Sequence, residues 1–552
     1  MPGVQSALRP VAIVSFLLIT MLFSINGNTH AEKATRPNVL FILADDMGFS
    51  DAGCYGGEIK TPNIDRLARG GLRFTQHYST GRCWPSRAAI LTGYYPQQVQ
   101  RDFVLDITIG DRPPWARLLP ELLKPYGYKS YHSGKWHIDG RPTDNGFDRS
   151  WGSKMFHGAD DNRFFDTPSW KEDDLRRDVA DGEQYYSTIA IADHAIACLK
   201  LHGKNHKDQP FFQYVTFYSP HFPLHALQQD IDKYQGVYQQ GWDAIRQQRW
   251  KKMRKMGIIN TELSTREDRI VPRWNLNEEQ LQEKIGLGEV GWSIAWSTLS
   301  QQQKDFQASK MAIHAAMIDR MDAEIGRIVA QLKKMGAYDN TIIFFASDNG
   351  ASAEQIIRGD LHDKNVPLGS AKSFVCLGPG WSTAANTPFK LHKHWNHEGG
   401  ISSPLIVHWP HGISARGERR TDVSHFIDVA PTILELAGGT WPKQTDSGLA
   451  VPMTPGISLL ETFRTDGSTR HESLWWFHTG NRALRMGDWK ISAKSEPDNH
   501  SGPWELYDLK TDRAEMHDLA AKHPEQVRAL AAQWEKTAAG FRRDLNKERS
   551  GK

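Results

Sequence analysis

Three short strings in this 552-residue chain group residue types that do chemistry together. Asp45-Asp46 and Asp348-Asn349 each set hard oxygen donors side by side, which suits calcium or magnesium and suits zinc poorly. An Asp-Asp pair just ahead of a glycine, here Gly48, is also ordinary turn chemistry, so one pair alone carries little. Two pairs in separate parts of the chain favour a metal. The third string, Cys83-Trp84-Pro85-Ser86-Arg87, opens a helical segment. Taken alone, a cysteine there is either a buried structural thiol or a nucleophile with a depressed pKa.

The elements that must position these groups can be read around them. Asn38 to Ala44 is an apolar run of strand length that stops at Asp45-Asp46, and Thr341 to Ala346 stops at Ser347-Asp348-Asn349-Gly350 in the same way. Phe211 to Tyr218 runs likewise into Ser219-Pro220-His221. In open parallel sheets ligands sit beyond the carboxyl ends of the strands, so three such strands deliver their polar tips to one crevice. Helical stretches at Ala88 to Thr92, Ile189 to Leu201 and Met311 to Met335 alternate with them, which predicts an α/β fold with a mostly parallel sheet covered on both faces.

A chain this long exceeds one small core. It is expected to form a large domain over residues 32–440 and a smaller C-terminal α+β domain over residues 441–552, with strands near Leu474 to Phe477 and Trp489 to Ser492 and a final helix from Pro524 to Thr537. Residues 227–300 break the rhythm and read as an insertion near the pocket mouth. Their tryptophans (Trp242, Trp250, Trp274, Trp292, Trp296) are expected to fill a core before they bind a sugar.

Charge and composition exclude other classes. With 67 basic and 64 acidic residues the net charge is only +3, which argues against nucleic acid as a partner. Arg9, the apolar run from Val11 to Phe23 and the polar stretch ending at Ala31 read as a signal peptide over residues 1–31, so the protein is expected to be exported to the periplasm or beyond. That run is shorter than the ~20 residues a bilayer span requires, and no stable membrane span is expected. Four cysteines, Cys54, Cys83, Cys198 and Cys376, make neither a disulfide framework nor a zinc spacing.

The full string Cys83-x-Pro85-Ser86-Arg87, with Leu91-Thr92-Gly93, resembles the signature of the formylglycine-dependent sulfatases, in which that cysteine becomes an aldehyde. Gly127-Tyr128-Lys129-Ser130 through Gly134-Lys135-Trp136-His137 resembles the second signature of that family. Ala44 to Gly48 and Phe345 to Gly350 resemble its two metal-binding strand ends, and Ser219 to Pro223 its histidine loop. Asn386-Thr387-Pro388-Phe389-Lys390-Leu391-His392-Lys393, running on to Glu398-Gly399-Gly400, resembles the loop of its catalytic lysine, and Trp504 to Leu509 its C-terminal strand.

The resemblance implies the alkaline-phosphatase-like α/β fold and hydrolysis of a sulfate ester, either an aryl sulfate or a sulfated carbohydrate. It assigns Asp45, Asp46, Asp348, Asn349 and an oxygen of the modified Cys83 to Ca2+, with Mg2+ as the alternative. One hydroxyl of the aldehyde hydrate attacks sulfur, and deprotonation of the other expels sulfate. Arg87 orients the hydrate, Lys135 neutralises sulfate charge, Asp348 accepts the attacking hydroxyl's proton and His137 accepts the second; His221 and Lys393 serve the leaving oxygen. A formylglycine-generating maturation enzyme is the implied protein partner.

Two rivals stay open: a phosphonate monoester or phosphodiester hydrolase on the same fold, and a carbohydrate-binding protein that has lost the reaction. Lys390 and Ser402 depart from the family pattern, which favours Arg at both positions. His225, His392, His394 and His397 lie near these loops without a matching position and are expected to be structural before they contact substrate.

Overall fold

An unbroken apolar strand must be covered on both sides, and Asn38–Ala44 (β1) lies in the middle of a nine-stranded sheet. Its side chains alternate between two cores: Leu40, Ile42 and Ala44 point into one, and Val39, Phe41 and Leu43 into the other. The computed structural model describes residues 36–104, 109–153, 164–165, 185–359, 361–468, 471–497 and 500–550. The segment read as a signal peptide lies outside the described residues.

The other strands of this sheet are Leu72–Tyr78 (β2), Lys129–Lys135 (β3), Arg149–Ser153 (β4), Phe211–Thr216 (β5), Thr341–Ser347 (β6), Ser402–His408 (β7), Glu418–Arg420 (β8) and Ser424–His425 (β9). Their order is β4-β3-β5-β1-β6-β7-β2-β8, with β9 also on β2. β1 runs parallel to β5 and β6, and β3 parallel to β4 and β5. β7 alone is reversed, antiparallel to both β6 and β2. The carboxyl ends of β1, β2, β3, β5 and β6 therefore share one edge, and the segment that enters the reversed β7 arrives at that same edge.

Helices Pro62–Arg69, Ser187–Asn205 and Gln301–Lys334 cover one face. The longest is started by a capping box in which Ser300 Oγ accepts from the Gln303 amide at 3.2 Å, and Gln303 Oε1 accepts from the Ser300 amide at 2.9 Å. Helices Cys83–Thr92 and Val429–Leu436 lie on the other face, whose core continues into a second, antiparallel sheet. That sheet is a meander of Leu474–His478 (β10), Asn481–Met486 (β11), Trp489–Ala493 (β12) and Glu505–Asp508 (β13).

The last helix runs Pro524–Ser550, well past the predicted Thr537. Leu530, Trp534, Ala538, Phe541 and Leu545 form a buried stripe at helical spacing that the charged residues between them conceal in the sequence. Of the insertion's tryptophans, Trp242 and Trp296 meet at 4.8 Å and both pack on Trp381, so they are core. Trp250 and Trp292 are half-buried, and Trp274 is 42% exposed. All four cysteines are buried free thiols, and no described helix is long and apolar enough to cross a membrane.

Candidate active site

The edge defined by the strand ends collects every residue singled out for chemistry. Asp46 follows β1 with φ 65, a conformation rare outside glycine, and its amide donates to Asp348 Oδ1 at 3.4 Å. β3 passes so close to β5 at Gly134 (φ 114) that a Cβ there would collide with the Thr216 carbonyl; the close passage sets Lys135 against β1. His137 then turns back at φ 58. Helix Cys83–Thr92 places Cys83 in its first turn, where Pro85 needs no amide hydrogen, and ends at Gly93 with φ 73. Asn386 staples the lysine loop: its Oδ1 accepts from the Ala351 amide at 2.8 Å, and its Nδ2 donates to the Ala351 and Leu391 carbonyls, each at 3.2 Å.

These side chains form one buried charged network. Arg87 donates from Nε and Nη2 to Asp348 Oδ2 at 3.1 and 2.8 Å and from Nη1 to the Lys135 carbonyl at 2.8 Å. Lys135 Nζ pairs with Asp45 Oδ2, and Lys393 Nζ lies 2.7 Å from Asp46 Oδ1. Asn349 Nδ2 donates to Asp46 Oδ1 at 2.7 Å. His221 Nδ1 bonds the Phe222 carbonyl at 2.6 Å and so carries the proton in the neutral ring, leaving Nε2 toward Asp46 Oδ2 at 3.6 Å.

Burial raises the Asp45 pKa, but Lys135, His221 and Arg87 outweigh it and hold the carboxyl below its ordinary range. Burial, then the Asp45 charge, lifts Asp348 above the usual carboxylate range. Burial and the neighbouring cations keep His137 and His221 neutral, while Asp46 and Glu354 overcome burial and raise Lys393, which holds its proton. Burial also raises the Cys83 thiol, despite Lys135 and Lys393. As it stands this cysteine is a poor thiolate nucleophile.

One participant has no signal in the sequence. Glu354 accepts from Trp274 Nε1 at 2.9 Å and lies 3.5 Å from Lys393 Nζ and 3.4 Å from Arg82 Nη2. With it the site holds four acids, Asp45, Asp46, Asp348 and Glu354, against four cations, Arg82, Arg87, Lys135 and Lys393. A pocket so balanced has no surplus charge for an anion. The Oδ1 atoms of Asp45 and Asn349 are buried without a hydrogen-bond partner, and Asp45, Asp46 and His221 bring ligand atoms within 4.8 Å of one another. Orphan oxygens in a carboxylate-rich, balanced pocket fit a hard divalent cation, which would also leave the site net positive.

The departures from the expected pattern resolve differently. Lys390 faces away from the site, 3.3 Å from Glu267 and over the Tyr507 ring. Ser402 Oγ donates to Glu398 Oε2 at 2.8 Å, and the guanidinium facing that carboxylate belongs to Arg513, at 3.0 Å. Of the four unmatched histidines, three are structural: His225 bonds the Ser373 carbonyl, His392 the Ser382 hydroxyl and His397 the Glu505 carboxylate. His394 instead packs on the exposed Trp274 at 4.8 Å.

Comparison with known proteins identifies the family. A family model described as Sulfatase matches residues 37–439, and one described as N-sulphoglucosamine sulphohydrolase, C-terminal, matches residues 390–541. An uncharacterized sulfatase of Schizosaccharomyces pombe is 31% identical over 92% of this chain and 94% of its own. The arylsulfatase of Klebsiella aerogenes is 31% identical over 78% of this chain and 93% of its own. A solved structure in complex with its substrate D-glucosamine-2-N,6-O-disulfate shares the fold, with a TM-score of 0.60 at 22% identity over 92% of this chain and 98% of that one. Matched over this much of its length, the chain belongs to the sulfatase family of sulfuric ester hydrolases.

Proposed function

We propose that this enzyme hydrolyses the ester of an aryl or carbohydrate sulfate through an aldehyde hydrate made from Cys83, with calcium or magnesium held by Asp45, Asp46, Asp348 and Asn349. The observation that carries the reading is the convergence of Cys83, three buried cations and two carboxylate-bearing strand ends on one sheet edge. A bound divalent ion supplies positive charge against the sulfuryl oxygens. Lys135, fully buried at the end of β3 and paired with Asp45, aims a further charge at the same oxygens. Asp348, one of the residues that would hold the ion, is the acceptor for the proton of the attacking hydroxyl, and His137, kept neutral by burial, is the acceptor for that of the second hydroxyl. Lys393 keeps its proton and is the donor for the leaving alcohol. The leader read in Met1 to Ala31 supports action in the periplasm or beyond, after a maturation enzyme has oxidised Cys83.

Two measurements test this. Matured protein offered para-nitrophenyl sulfate, a phosphonate monoester and a phosphodiester is expected to release sulfate with the highest kcat/KM; preference for a phosphorus ester by orders of magnitude would overturn the assignment. Dialysis against a chelator is expected to abolish turnover and lower the melting temperature, because the buried carboxylates lose their counter-charge, and Ca2+ or Mg2+ should restore both. Activity and melting temperature that ignore chelation would exclude the ion.

A further inference from the structure

We infer that the arc of side chains running from His137 to Lys393 is a binding subsite for the sugar ring of a sulfated carbohydrate, an assignment that rests on the sulfatase reading above. From His137 the arc passes to Trp84 at 5.7 Å, then to His478 at 5.4 Å, to His394 at 5.1 Å and to Trp274 at 4.8 Å between ring centroids. Trp274 Nε1 bonds Glu354, and Glu354 closes the arc on Lys393 at 3.5 Å. Lys393, the proposed donor to the leaving alcohol, ends the arc, which puts Glu354 and Trp274 on the alcohol side of the ester.

The arc comes from six parts of the chain: the segments after β3 and β6, the Cys83 helix, the end of β10, the lysine loop and the Trp-rich insertion. Core packing does not account for its chemistry. Arg82 lies over both indoles, 5.3 Å from Trp84 and 5.6 Å from Trp274, with its side chain 17% exposed. Its Nε and Nη1 have no hydrogen-bond partner, and neither has Trp84 Nε1. His478 is fixed by Asp102, which meets its Nδ1 at 2.9 Å, leaving Nε2 to bond a ligand. The Arg82 and Trp84 donors are buried as well as unmatched, so a ligand acceptor reaches them only by displacing the side chains that cover them.

Trp274 sets the other requirement. The residue is 42% exposed, yet its N–H is anchored to Glu354, so it offers a fixed apolar face rather than a mobile one. The ligand must therefore combine a flat C–H face with oxygen acceptors around its rim. A pyranose does both, whereas an aryl group brings the face without the acceptors and a sterol lacks them as well.

Steady-state kinetics of matured wild type, Trp274→Ala, Trp274→Phe and His478→Ala on para-nitrophenyl sulfate and on a panel of singly O-sulfated hexoses and hexosamines decide the matter. The kcat/KM ratio of the best sugar sulfate to the aryl sulfate is expected to fall at least about tenfold in both alanine variants, chiefly through KM, and to recover in part with phenylalanine. A ratio unchanged within about twofold in both alanine variants overturns the subsite. So does a wild type that cleaves the aryl sulfate and no sugar sulfate, an outcome that leaves the sulfatase reading intact. A matured wild type that cleaves neither overturns both.

Discussion

Replacing Cys83 with alanine is expected to lower sulfate release by roughly 10^4- to 10^6-fold, the loss typical of removing a covalent nucleophile. The side chain is buried in the first turn of its helix, and its small volume makes the folding cost about 1 kcal/mol, so the variant should keep its melting profile. The Asp348–Arg87 and Asp45–Lys135 pairs do not involve it and should survive. Peptide mass spectrometry across residue 83 of wild type from a host with the maturation enzyme is expected to show the aldehyde. The two readouts separate two failures. An unmodified, inactive wild type indicts the host, whereas an alanine variant that turns over normally removes Cys83 from the reaction.

Much of this site is legible in the sequence because its parts are strand ends. β1, β5 and β6 are buried on both faces, so they appear as apolar runs, broken in β5 only by Gln213, that stop where the polar tips begin. β3 is not legible in this way. It reads Lys129-Ser130-Tyr131-His132-Ser133-Gly134-Lys135, and its polar groups are matched only by distant partners, among them Ser150 to His132 at 2.9 Å and His194 to Ser133 at 2.8 Å. The reversed β7 is equally hidden, although its reversal is what brings Lys393 to the edge where the carboxyl ends of the other strands lie.

The same logic separates the buried charged network from the residues around it. Asp45, Asp348, Lys135 and Lys393 sit in long local strings, whereas Glu354 has no string of its own and acquires meaning only beside Lys393. Asp102 and His478 are 376 residues apart. Composition announces a tryptophan-rich insertion, but which ring stays exposed depends on packing: Trp242 and Trp296 close on Trp381, and Trp274 is left exposed. Chemistry held by local sequence can be read in advance, while specificity assembled from separate loops cannot.

Glu398→Gln is expected to destabilise the protein by about 3 kcal/mol, at the low end for breaking a buried charge cluster. Glu398 Oε1 accepts from Lys490 at 2.9 Å, while Oε2 accepts from Arg513 at 3.0 Å, Tyr78 at 3.0 Å and Ser402 at 2.8 Å. Glutamine keeps the volume but withdraws the charge, and only Glu515, 2.9 Å from Lys490, remains to balance two buried cations. The sign of the pH dependence follows. Burial raises the Glu398 pKa, but Lys490 and Arg513 more than offset it, so the folded-state value lies below the ordinary 4.5. Its contribution is therefore fully present above pH 4.5 and is lost as the pH falls below that value. Urea midpoints should separate wild type from variant at neutral pH and converge in acid. Because the Glu398 amide, which donates to Glu515 at 2.7 Å, ends the segment that carries Lys393, the variant should also lose kcat. A loss below about 1 kcal/mol, or one that does not shrink in acid, would show that the cluster does not tie the lysine loop to the C-terminal sheet.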